Sequence, residues 1–221
     1  MTRPGLALAC VVAAACEPSV PVRDCTGCTY DFADTIPPDT SLVFHWPATR
    51  LPVRYYADPR AAMPALVATG VATWNAQFLY GELRAVQVAD SNAADVIVQW
   101  EATPPPDVPP DTGAAVDACA GSTTNPSVVF RDSSARVLHV TLGAKAGAFS
   151  DAQVAACLRR VAIHELGHSL GLLKHSPSRF DIMNAVPTVS FPSVTDRRTV
   201  ELLYHTLPRY FRRLDRVAAA R

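Results

Sequence analysis

His164 and His168 stand four residues apart with Glu165 beside the first, and Gly171 and His175 follow closely. On a helix, residues four apart lie one above the other, so both imidazoles can face one point. The run therefore asks for a helix, a reversal at Gly171, and a return of His175 toward that point. Neutral imidazole is a good zinc ligand, and the carboxylate of Glu165 is placed to take a proton from water at such an ion. Ser150-Asp151-Ala152-Gln153 has the form of a capping box, with serine at the N-cap and glutamine three residues on. The spacing predicts a helix from there to Gly171, which ends it because a left-handed C-terminal turn costs glycine little. Cys157, about 10 Å before His164 at 1.5 Å per residue, is too far to ligate the same ion.

The longer context, HELGHSLGLLKHS, then Phe180-Asp181-Ile182-Met183, then Val194-Thr195-Asp196-Arg197-Arg198-Thr199-Val200-Glu201-Leu202-Leu203-Tyr204, resembles the metzincin metallopeptidases, most of all the matrixin-like bacterial branch. The resemblance covers residues 49–205. It implies an α+β catalytic domain with a twisted mixed sheet, a backing helix, an active-site helix and a C-terminal helix after a Met-turn. It also implies one catalytic Zn²⁺ held by His164, His168 and His175, Glu165 as general base, and Met183 as the Met-turn residue beneath the metal. The family pattern is HExxHxxGxxH followed by the Met-turn. Here Lys174 occupies the position of the third histidine and His175 comes one residue late. A protonated lysine has no lone pair to offer, whereas His175 to Met183 has the family's spacing; His175 is taken as the ligand, with Asp181 or water as the alternative. By the same resemblance, Ala185 to Pro192 forms a wall of the substrate pocket.

Upstream, Leu51 to Tyr56 alternates as a strand and Ala61 to Phe78 carries an apolar stripe at helical spacing. Leu83 to Val88, Ala94 to Trp100 and Val137 to Leu142 read as further strands. Residues 103–110 are proline-rich and cannot join a ladder. Residues 111–135 carry no readable periodicity. Asp107, Asp111, Asp117 and Asp132 lack calcium-loop spacing, so calcium binding has no support. Residues 206–221, with Arg209, Arg212, Arg213, Arg216 and Arg221, form a basic tail.

At the other end, Arg3, the apolar run Leu6 to Ala15 and Cys16 resemble a bacterial lipoprotein signal over residues 1–15. The apolar run is too short to span a bilayer, so the expectation is export with lipid at Cys16 and membrane anchoring, or secretion as the alternative. Residues 16–48, rich in Pro, Asp and Thr, are expected to be a tether. Of six cysteines, Cys25, Cys28, Cys119 and Cys157 then remain in an oxidising compartment. Four allow three pairings; proximity favours Cys25–Cys28 as a local loop and leaves Cys119–Cys157 as a long-range staple. With 221 residues and 49% hydrophobic composition, one monomeric catalytic domain can bury its own core. Zero net charge and 18% charged residues leave no concentrated basic surface for nucleic acid. The expected partner is a protein or peptide substrate.

Overall fold

The computed structural model describes residues 29–32, 43–60, 62–78, 81–102, 118–124, 137–145 and 147–206. Cys16, Cys25, Cys28, the signal segment and residues 207–221 of the basic tail lie outside them. Among the described residues five strands form one sheet: β1 (Val53–Ala57), β2 (Ala85–Val88), β3 (Val96–Trp100), β4 (Cys119–Thr123) and β5 (Leu138–Ala144), in the order β2-β1-β3-β5-β4. The first four in that order are parallel, with Val53 opposite Ala85, Tyr55 opposite Val96, and Val96 opposite Leu138. Only β4 runs antiparallel, pairing Cys119 with Ala144 and Thr123 with Val140 at the sheet's edge. The sheet is thus mixed, and with its helices the domain is α+β.

Among the described residues three α-helices follow the sequence signals: α1 (Met63–Asn75), α2 (Asp151–Leu170) and α3 (Val194–His205). α1 packs along β1, β2 and β3, and α2 along β4 and β5, so both helices back the same sheet. Alternate strand residues, Val53, Tyr55 and Ala57 on β1 and Leu138, Val140 and Leu142 on β5, are buried, as expected of one helix-covered face. The two helices touch closely at Gly70, where a Cβ would lie 2.8 Å from Leu166 Cδ2. Asn75, the last residue of α1, binds both the N–H and the C=O of Ala85 at 2.9 Å and thereby fixes the edge strand β2.

The core reaches further back along the chain than residue 49. Within the segment read as a tether, Tyr30, Val43, Phe44 and Trp46 are buried and join the hydrophobic core. The indole N–H of Trp46 donates to the Ser169 carbonyl at 2.9 Å, and His45 Nε2 bonds the Thr206 carbonyl at 2.7 Å. Four such residues are too few for a periodic signal, yet Trp46 and Phe44 meet the end of α2 and Tyr30 meets α3. Among the described residues no helix is long and apolar enough to cross a membrane.

Candidate metal centre and active site

α2 begins as its capping box requires: Ser150 Oγ accepts from Gln153 N at 3.3 Å while Gln153 Oε1 accepts from Ser150 N at 2.9 Å. It ends at Gly171, whose φ of 114° is left-handed. A side chain there would also run into the carbonyl of Phe44, so glycine is required twice over. From this end the chain turns back. Leu172 N bonds the Gly167 carbonyl, Ser176 N bonds the Met183 carbonyl at 2.8 Å, and Asn184 Nδ2 bonds the Ser176 carbonyl at 2.7 Å. These bonds tie the segment after His175 to the turn around Met183.

The result brings His164, His168 and His175 together, with one ligand atom from each lying within 4.8 Å of the others. His168 Nε2 is 3.0 Å from His164 Nε2 and 3.3 Å from His175 Nε2. The opposite nitrogens fix the tautomers. His164 Nδ1 faces the Ile182 carbonyl at 2.7 Å and His168 Nδ1 the Leu172 carbonyl at 2.5 Å, and a carbonyl only accepts, so both Nδ1 atoms carry protons. Their Nε2 lone pairs then point inward at one another with no proton between them. Such a convergence is unfavourable for imidazoles alone and suits a cation at its centre.

Burial pushes the His164 pKa down to about 4, against the Ile182 carbonyl, which favours the charged ring. Burial, then the neighbouring imidazoles, lowers His168 well below its ordinary value, and His175 at the rim is lowered by its partial burial. Three neutral imidazoles are what a divalent zinc ion requires. Among the described residues this is the one group of His, Cys, Asp or Glu so arranged. Asp181 lies outside it: its carboxylate accepts from Ser176 Oγ at 2.5 Å and Ser193 Oγ at 2.6 Å, and so braces the turn. Lys174 forms an ion pair with Asp31.

Met183 is fully buried and packs beneath α2 at Gly167, where a Cβ would collide with its sulfur and would sit 2.7 Å from Trp74 Cζ2. Its turn is held from below by Asp196 of α3, whose carboxylate accepts from Ile182 N at 2.8 Å, Met183 N at 3.3 Å and Tyr30 Oη at 2.9 Å. Burial raises the Asp196 pKa, while the Ser193 and Ile182 N–H groups and the Tyr30 hydroxyl oppose the rise. The same carboxylate thus anchors the helix cap, the methionine turn and the N-terminal segment.

Glu165, on the helix between the two histidines, is 5% exposed. The hydroxyl of Thr123 on β4 lies 2.7 Å from its Oε2 and 2.9 Å from its carbonyl. Sequence reasoning missed this contact because residues 111–135 show no alternation. The one signal available was the pairing of Cys119 with Cys157, which the structure contains as a disulfide. That bond brings the start of β4 to α2, and the Thr123 contact carries the strand on along it.

The sequence model of the Peptidase_M10 family, Matrixin, matches residues 57–205. No curated protein matches the chain. The chain belongs to the matrixin family.

Proposed function

We propose that this matrixin is a zinc-dependent endopeptidase, hydrolysing peptide bonds with Glu165 as general base. The observation that carries the reading is the inward convergence of three neutral imidazole Nε2 atoms beside a buried glutamate. His164, His168 and His175 would hold the ion. Zinc bound by three histidines supplies Lewis acidity, lowering the pKa of coordinated water to about 7 and polarising a carbonyl. Glu165 accepts the proton of the attacking water and delivers it to the departing amine. The substrate lies extended beside the edge strand β4, using backbone hydrogen bonds that tolerate many sequences. Substrate choice then rests on side-chain pockets, one wall of which is assigned to residues 185–192.

The test is digestion of a denatured protein mixture and a broad peptide library by the purified chain, with and without a chelator. Chelation abolishes cleavage and re-addition of zinc restores it. Glu165→Gln keeps stoichiometric zinc and loses about 10²–10⁴-fold in rate, the usual worth of a positioned base. His175→Ala loses zinc, whereas Lys174→Ala keeps it. Cleavage at the wild-type rate by zinc-loaded Glu165→Gln would remove Glu165 from the mechanism. A wild-type chain that binds zinc and cleaves nothing would be a binding protein on a peptidase scaffold.

A further inference from the structure

Three residues of β4 and three of α2 meet in step. Cys119, Gly121 and Thr123 alternate along the strand and therefore share one face. Cys157, Val161 and Glu165 are spaced by four and share one face of the helix. Cys119 is disulfide-bonded to Cys157. At Gly121 a Cβ would lie 2.6 Å from Val161 Cγ1, 2.7 Å from Glu165 Cγ and 3.1 Å from Glu165 Oε1. Thr123 Oγ1 meets Glu165 Oε2 at 2.7 Å. Ser122, between them, turns to the other face and bonds Thr141 Oγ1 at 2.6 Å.

The match has a geometric cause. Two residues of strand advance about 6.7 Å and four residues of helix about 6.0 Å, so two repeats drift by only about 1.4 Å. Strand and helix run in the same direction here, and the disulfide sets their register at one end. The register therefore arrives at Glu165 with little error.

We infer that the inner face of β4 is a positioning surface for the general base: Gly121 makes room for its side chain, and the Thr123 hydroxyl fixes its carboxylate plane. The inference rests on the reading of Glu165 as that base. The terminal torsion of glutamate is broad, so each hydrogen bond to the carboxylate narrows the orientations it samples. A hydroxyl has one proton to donate; of its two acceptors, the carboxylate Oε2 at 2.7 Å is nearer and more strongly charged than the Glu165 carbonyl at 2.9 Å, so the proton goes to Oε2, anchors that oxygen and sets where Oε1 must lie. A base whose accepting oxygen is preset spends less of its encounter with water in unproductive orientations. Neither Gly121 nor Thr123 needs to touch the metal or the substrate to do this.

The test compares zinc-loaded wild type, Thr123→Val and Thr123→Ser by peptide kinetics, zinc content and crystal structure. Valine keeps the shape and removes the donor, whereas serine keeps the donor. The expected result for Thr123→Val is a fall in kcat of about ten- to a hundredfold, the scale of one hydrogen bond to a charged group. KM and zinc content stay unchanged, and the Glu165 carboxylate takes up more than one orientation. Thr123→Ser restores both kcat and the single orientation. If valine prevents folding, Thr123→Ala makes the same comparison. An unmoved carboxylate with undiminished kcat overturns the inference, as does a serine variant that rescues neither. If the wild type cleaves no peptide, the peptidase reading has failed, and the carboxylate orientation in the Thr123→Val crystal still decides the positioning role.

Discussion

The two halves of α2 are held by different means. The N-terminal half, from Asp151 to Arg160, is largely exposed and is secured by its capping box and the Cys119–Cys157 disulfide. The C-terminal half, from Val161 to Leu170, is almost wholly buried and carries every group of the proposed chemistry that lies on the helix. It is held by donors far away in the chain: Trp74 Nε1 on the Ile163 carbonyl at 2.8 Å, Trp46 Nε1 on the Ser169 carbonyl at 2.9 Å, and Tyr55 Oη with Ser169 Oγ at 2.8 Å. A covalent bond fixes the register of one half at a single point. Several directional bonds fix the rotation of the other about its axis, which aims the imidazoles. Damage to the first half should cost stability and spare the metal, and damage to the second should weaken metal binding even where the stability cost is small.

The largest effect is expected at the helix end. Gly171→Ala forces an alanine into a left-handed conformation and drives its methyl into the Phe44 carbonyl. Together these cost about 2–5 kcal/mol, and the turn must shift. Leu172, whose carbonyl orients His168, shifts with it. Zinc affinity should fall about ten- to a hundredfold, as for loss of an outer partner of a metal ligand. Thermal unfolding and zinc titration check both; unchanged zinc affinity in a destabilised variant would break the proposed division.

Removing the disulfide is the complementary case. The bridge spans 38 residues, for which loop entropy gives about 4 kcal/mol, with measured gains often lower, near 2–4 kcal/mol. The double variant Cys119→Ser, Cys157→Ser should therefore lose much of its thermal stability while binding zinc with wild-type affinity. A large loss of zinc affinity would show that the strand register reaches the metal as well as the base.

The same division separates what could be read from the sequence and what could not. The capping box, the glycine reversal and the histidine spacing are local signals, each encoded within a few residues, and all appear in the fold. The late third histidine was legible because protonated Lys174 has no lone pair to offer and His175 keeps the family's spacing to Met183, and the structure brings His175 to the other two imidazoles. The groups that hold these elements in place were illegible. Phe44 and Trp46 lie in a short apolar run, Leu42-Val43-Phe44-His45-Trp46, and Tyr30 stands apart from it, with no helical or strand period to place them; their roles come from contacts more than a hundred residues away. β4 is built of small residues, Cys-Ala-Gly-Ser-Thr, chosen for closeness to the helix rather than for strand propensity. Its glycine, which reads as a strand breaker, is what lets Glu165 sit against the sheet.

The smallest predicted effect is the sharpest test of the comparison. Ser169 Oγ donates its single proton to the Leu166 carbonyl at 2.7 Å, so in its 2.8 Å bond with Tyr55 the tyrosine must be the donor. Burial holds the Tyr55 pKa well above its ordinary value, which keeps that proton in place across the working pH range. Tyr55→Phe removes one neutral donor, leaves no buried charge and leaves Ser169 still bonded to the helix. Its cost should be about 1 kcal/mol, or roughly 2–4 °C in Tm. Ser169 adjoins His168, however, and loses the bond that ties it to β1. Zinc affinity should therefore fall by about twofold, a few tenths of a kcal/mol, although this variant loses less stability than the disulfide-free one. The two variants should exchange rank between the two measurements, disulfide loss ahead in unfolding and Tyr55→Phe ahead in zinc titration. If they keep the same rank in both, zinc affinity simply follows global stability and the two halves of the helix are one cooperative unit.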